Sequence, residues 1–205
     1  EDLDGNILVG TNGRGISIIR NTDFNHFREE EGLNTRVVFS FEEDAKGNLW
    51  FGTRGGGLNK YDGDDFTYYT FDEGLNNNYV LAVTEDSKGN IWSGTFGNGI
   101  SAFDGNTFAW ANIAFQGLCD YTFRRIMEDK NGNIWLASQR GGLNIYNGEY
   151  FLLLSEEEGM GSNAILALLE DSRGNIWIGT GGAGVSKYDG DSFIHYTRKE
   201  GLNDN

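Results

Sequence analysis

A β-propeller of five four-stranded blade units, each about 42 residues long, is the fold this sequence predicts, and three observations predict it. The first is a repeat. Glu1-Asp2, Glu43-Asp44, Glu85-Asp86, Glu128-Asp129 and Glu170-Asp171 recur at intervals of 42, 42, 43 and 42 residues, each pair followed by Gly-Asn two residues later. A period of this length decides the architecture before any local reading does. The second is punctuation: 31 glycines among 205 residues, about twice the average usage, sit at fixed places between apolar runs, and proline is absent. Turns must then rely on Gly, Asn and Asp. The third is the segment LWF, IWS, IWL or IWI in successive units, apolar throughout instead of alternating. Such a strand is covered on both faces, as a sheet between two sheets is.

Within each unit the elements follow in order. An inner strand covers Val37 to Glu42 and its equivalents, a second Asn48 to Thr53, a third Gly57 to Tyr61 and an outer one Phe66 to Thr70. DAKGN and DGDD are tight hairpin turns, TRGGG joins strands two and three, and DEGLNNN leads to the next unit. Four antiparallel strands cannot bury a core alone and must stack on neighbours, radially in a propeller. An open solenoid is the alternative. The repeats run 1–42, 43–84, 85–127, 128–169 and 170–205, within a single propeller domain 1–205. The chain carries four inner strands and five copies of everything else. A ring closed on itself therefore needs an inner strand from a terminus or a partner chain, which makes self-association through the incomplete blade an expectation. Either a closed five-bladed ring or a segment of a larger propeller fits these units.

Composition excludes some functions. A net charge of −15 argues against nucleic acid, whose phosphates demand a basic face. No apolar run approaches the ~18 residues of a membrane span, so no membrane insertion of this segment is expected. Lone Cys119 supports no internal disulfide and has no histidine beside it to make it nucleophilic.

Strand parity separates two ends of each sheet. The EDxxGN and DGD turns share one end, uniform and acidic; Asp62, Asp64, Asp104, Asp189 and Asp191 read there as turn residues in preference to calcium ligands, which need several oxygens converging from one loop. At the other end the repeats disagree. The loops TNGRG, TRGGG, TFGNG, SQRGG and TGGAG present Asn12 and Arg14, Arg54, Phe96 and Asn98, Gln139 and Arg140, and nothing larger than Ala183. The inter-unit loop varies most over Phe115 to Tyr121. Binding sites are built at such positions, on loops held by a rigid scaffold. The candidate ligand-binding residues are Arg124, Arg125, Tyr121, Arg54, Phe96, Arg140 and Gln139: aromatic platforms and planar donors suited to a carbohydrate or another polar small molecule.

Trp50, Trp92, Trp135 and Trp177 share one repeat position, as packing between sheets requires. Trp110, in the unit with an extra residue, reads as rim packing or as a stacking platform. His26 and His195 fall in outer strands, without the two or three convergent ligands a metal needs, so no catalytic residue, metal or cofactor is expected.

The pattern EDSRGNIWIGTGGAGVSKYDGDSFIHYTRKEGLNDN, with its inner strand completed as in NAILALLED, resembles the two-component regulator propeller repeat, and it recurs along the whole chain. That family forms the sensor region of bacterial hybrid histidine kinases. The resemblance implies a periplasmic or extracellular, non-enzymatic sensor propeller whose partner is a small molecule or glycan. The first copy departs from it, with Leu8 for the usual Trp and Ile19-Arg20 for Tyr-Asp. A structural or protein-interaction scaffold is the alternative; an enzyme resembling the streptogramin lyases would need its histidines and a metal.

The segment DYTFRR breaks the inner-strand pattern: Arg124 stands where Phe39, Leu81 and Leu166 stand, and Arg125 where Ser40, Ala82 and Ala167 do. Alternation predicts that the two point to opposite faces. One then pairs with an acid of a neighbouring blade and one faces the wet channel, or the two anchor an anion or sugar below Tyr121.

Overall fold

The computed structural model describes residues 2–21, 23–111 and 118–204, with the backbone alone at Trp110 and Ala111. The chain forms two compact units, Glu1–Phe96 with Ile100–Trp110, and Gly97–Gly99 with Ala111–Asn205.

The first unit holds three antiparallel meanders. β1 (Ile7–Gly10), β2 (Ile16–Arg20) and β3 (Asp23–Phe27) form a three-stranded sheet, the one whose inner strand the sequence lacks. β4 (Val38–Glu43), β5 (Leu49–Thr53), β6 (Leu58–Tyr61) and β7 (Phe66–Tyr69) form the second sheet, and β8 (Val80–Glu85), β9 (Ile91–Thr95), β10 (Ile100–Phe103) and β11 (Phe108–Ala111) the third. The second unit repeats the four-stranded form twice: β12 (Phe123–Glu128), β13 (Ile134–Ser138), β14 (Leu143–Tyr146) and β15 (Phe151–Leu154), then β16 (Ile165–Glu170), β17 (Ile176–Thr180), β18 (Val185–Tyr188) and β19 (Phe193–Tyr196). Every expected strand is present to within a residue at each end.

β5 shows why its sequence is apolar throughout. Leu49 and Phe51 join Leu8, Ile16, Ile18, Leu33 and Val38 in a core between the first and second sheets. Trp50, on the opposite face, joins Leu58, Leu75, Val80, Val83, Ile91 and Phe103 between the second and third. In the second unit Trp135 and Ala137 meet Ile165, Ile176 and Ile178 in the same way. Burying such side chains is worth roughly 1.5–3 kcal/mol each, and a single sheet could not do it.

The Glu-Asp pairs are the stitching. Asp44, Asp86, Asp129 and Asp171 each accept the indole N–H of the tryptophan six residues on, at 2.8, 2.8, 2.8 and 2.9 Å. The same carboxylates accept the backbone and side-chain N–H groups of Asn48, Asn90, Asn133 and Asn175. Three of the glutamates before these aspartates work between sheets: Glu43 accepts the N–H of Leu3, Glu85 that of Ala45 and Glu170 that of Lys130. The Asp of the DGD turns caps its own loop, as where Asp62 Oδ1 accepts from Asp64 and Asp65 at 3.0 and 2.9 Å. These acids hold the turns.

Burial pushes the carboxyls of Asp44, Asp86 and Asp129 up, but the hydrogen bonds from indole and asparagine outweigh it and hold them below the ordinary carboxylate range. At Asp171 the bonds from Trp177 and Asn175 dominate, with the same result. A carboxyl whose folded pKa is depressed contributes stability that is complete above its unfolded value, near 4, and is lost as pH falls through the folded one. The urea midpoint is therefore expected to stay level from pH 7 to about 5 and to fall steeply below about pH 4.

Candidate loop-end site

At the end of the sheets opposite those turns, each loop between strands two and three is pinned by its backbone. Gly55 and Gly57 donate to the carbonyl of Asn78 at 3.0 and 2.9 Å, and Gly13 and Gly15 to that of Arg36 at 3.1 and 2.9 Å. In the second unit, Gly97 and Gly99 donate to the carbonyl of Tyr121 at 3.0 and 2.8 Å. Thr53 Oγ1 closes its loop on the Gly57 carbonyl at 2.7 Å, and Thr11 and Thr180 do the same on Gly15 and Gly184. The backbone is thus common to the repeats, and the side chain after the threonine is free to differ.

Two groups of candidate residues are brought together, one in each unit. In the first, the N–H of Arg54 donates to Val37, Arg54 bridges to Tyr79, and the N–H of Phe96 donates to the Tyr79 carbonyl at 2.9 Å. Arg54 and Phe96 therefore flank Tyr79, itself 42% exposed, a platform that sequence reading placed on the strand and did not single out. In the second unit Asp120 is the organiser. Its carboxylate accepts the N–H of Tyr121 at 2.6 Å and that of Arg140 at 2.8 Å, while the N–H of Gln139 donates to the Thr122 carbonyl at 3.0 Å. Tyr121, Arg124, Arg125, Gln139 and Arg140 thus lie along two tied segments, with Tyr121 and Arg140 exposed. Of the variable loop, Phe115 to Gly117 lie outside the described residues, as does the side chain of Trp110.

The alternation expected of Arg124 and Arg125 is corrected by a β-bulge. Register shifts between Phe123 and Arg125, so Arg124 is the extra residue. The other inner strands bulge at the same position, between Val38 and Ser40, Val80 and Ala82, and Ile165 and Ala167. A bulge turns a side chain out of the pleat: Phe39 and Leu166 are 44% and 56% exposed there. Arg124 consequently replaces no packing residue, and among the described residues it has no acidic partner. Arg125 is exposed, and its Nη1 folds back to donate to the Arg124 carbonyl at 2.8 Å. Burial pushes the thiol of nearby Cys119 up to about 11, as suits an unreactive cysteine.

His26 and His195 sit on outer strands β3 and β19, each with Nδ1 against a serine of the adjacent strand, Ser17 at 3.0 Å and Ser186 at 2.9 Å. Among the described residues no three His, Cys, Asp or Glu side chains converge where a metal could be held. Two clefts of the first repeat escaped sequence reading. One, of about 320 Å³, is lined by Gly13, Arg14, Arg28, Glu29, Glu30 and Arg36. The other, of about 470 Å³, has Phe24, His26, Phe27 and Tyr61 in its wall. The available signal was charge: Arg14, Arg20, Arg28 and Arg36 all fall in the first 42 residues.

Antiparallel meanders stitched by Glu-Asp turns, with a constant loop backbone and changing loop side chains, define an all-β protein of the propeller type. The repeat of the two component regulator propeller family matches the chain four times, at residues 32–55, 74–97, 117–140 and 159–182. Each match runs from the inter-sheet loop through the inner and second strands. The extracellular domain of a B. thetaiotaomicron protein assigned as a hybrid two component system is similar at 26% identity and a TM-score of 0.87, over 98% of this chain and 28% of that one. The extracellular domain of a B. thetaiotaomicron one component system matches at 22% identity and a TM-score of 0.78, over 96% of this chain and 30% of that one. A streptogramin B lyase shares the fold at 15% identity and a TM-score of 0.75, over 96% of this chain and 66% of its own. This chain thus spans under a third of either B. thetaiotaomicron structure. No curated protein matches it.

Proposed function

We propose that this chain is a non-enzymatic, extracytoplasmic sensor module that binds a polar small molecule, a carbohydrate foremost, at the loop ends of its sheets. The observation that carries the reading is the loop architecture: one backbone, fixed by glycine N–H groups on a neighbouring carbonyl, displaying Arg54, Phe96, Gln139 and Arg140 in turn. The opposite ends spend their acids on holding turns. Similarity to the extracellular domain of a hybrid two component system supports a sensor role and a location outside the cytoplasm. The lyase likeness is one of fold alone.

A ligand that binds only the native state raises its melting temperature, by the equivalent of about 2.7 kcal/mol at a hundredfold excess over Kd. A thermal-shift screen against neutral and acidic glycans and organic acids is expected to give a saturating hit. Arg124→Ala or Arg140→Ala, removing a planar donor beside Tyr121, is expected to weaken that hit about tenfold. A hit untouched by both changes moves the site away from Tyr121. No hit, together with a stable oligomer in light scattering, favours the protein-interaction scaffold.

A further inference from the structure

Two arginines of the first repeat, Arg28 and Arg36, replace residues that stabilise other repeats, and with Arg14 they line one cleft of about 320 Å³. Arg28 stands where Thr70 and Thr197 cap a one-turn 3-10 helix, and Ser155 the matching turn, by accepting an N–H, from Asp72, Lys199 and Glu157 respectively. A guanidinium has no acceptor, and Arg28 makes no side-chain cap bond. Arg36 stands where Asn78 accepts the Phe71 N–H at 2.7 Å and Asn163 that of Glu156 at 2.8 Å. It turns instead to Glu29, Nε to Oε2 at 2.8 Å. Arg14 tops a loop that carries Gly56, Asn98, Gly141 or Ala183 at that place.

Local departures from a stabilising pattern that converge in space mark function more than accident. Glu29 and Glu30 face three guanidinium groups across the cleft, leaving a local excess of one positive charge in a chain of net −15. Glu29 engages Arg36, and among the described residues the side chains of Arg14 and Arg28 have no acidic partner. Planar, paired donors with no protein acceptor suit an oxyanion, which they bind in bidentate fashion.

We propose that Arg14, Arg28 and Arg36 form an oxyanion subsite for the carboxylate or sulfate of a small acidic ligand. It rests on the reading that loop ends bind ligand, but not on occupation of the Tyr121 cluster. The test titrates the 205-residue chain with inorganic sulfate, glucuronate and neutral glucose at constant ionic strength, reading melting temperature and tryptophan fluorescence. Sulfate or glucuronate, and not glucose, is expected to saturate; which of them does separates the two sources of the oxyanion. Arg28→Thr restores the cap of the other repeats, so it is expected to keep or raise the ligand-free melting temperature while weakening the anion about tenfold. Arg14→Gln is expected to weaken it similarly, and Arg173→Ala, at an exposed turn end, to leave it intact. Absence of an anion response, or a response that Arg28→Thr and Arg14→Gln do not touch, overturns the proposal. Loss through Arg124→Ala alone does so too, while leaving the Tyr121 cluster as the site.

Discussion

Asp129→Ala is expected to destabilise the chain by ~3–5 kcal/mol, read as a fall in the urea midpoint at unchanged slope. Asp129 is 7% exposed, and its carboxylate accepts four N–H groups: Asn131 and Asn133 backbone, each at 2.9 Å, and Asn133 Nδ2 and Trp135 Nε1, each at 2.8 Å. Hydrogen bonds to a charged acceptor are worth about 1.5–3 kcal/mol, and the larger loss is what stays behind. Trp135 is 4% exposed in the core of the second unit, so its indole N–H would be left dry and unpaired. Asp129→Asn keeps the shape but points an NH2 at one set of donors, and should cost about half as much. A loss under ~1 kcal/mol for alanine would mean that the clasp is decoration on a turn that glycine alone can hold.

The second large effect is expected at Gly57. Its φ is 72°, and a Cβ there would lie 2.1 Å from the carbonyl oxygen of Tyr69, backbone against backbone. No rotamer relieves that contact. Gly63 has a positive φ of 106° with open space around it, so Gly63→Ala carries the conformational penalty alone, about 1 kcal/mol. Gly57→Ala is expected to cost at least ~3 kcal/mol, because β6 must move off β7 to admit the methyl group. Equal midpoints for the two variants would contradict this account of the loop.

Much of the fold was legible because the physics repeats. The Glu-Asp spacing fixed the period, the unbroken LWF and IWI segments showed strands covered on both faces, and the first sheet has the three strands counted in advance. The bulge was not legible, because a register shift depends on pairing and its position carries Phe39, Leu81, Arg124 or Leu166, none of them a turn signal. That is why Arg124 was expected in the pleat. Nor does the sequence show that Glu43, Glu85 and Glu170 reach the preceding repeat, as Glu85 does to Ala45, since the partner is a backbone N–H that any residue supplies. At the loop ends, variation pointed to Arg54, Phe96, Gln139 and Arg140. Tyr79 and the Arg14, Arg28 and Arg36 cleft were missed because their neighbours are set by tertiary approach of segments over twenty residues apart in places.

The most direct test of the central claim, ligand binding at the loop ends and not the acidic turn ends, compares ligand-induced stabilisation in two sets of variants. Arg54→Ala, Arg140→Ala and Arg28→Thr alter loop ends; Asp62→Asn and Asp189→Asn alter turns. The melting-temperature rise produced by the best glycan or acidic ligand is expected to shrink in at least one loop-end variant and to persist in both turn variants. A rise that survives every loop-end change and is lost on changing the turns would contradict it.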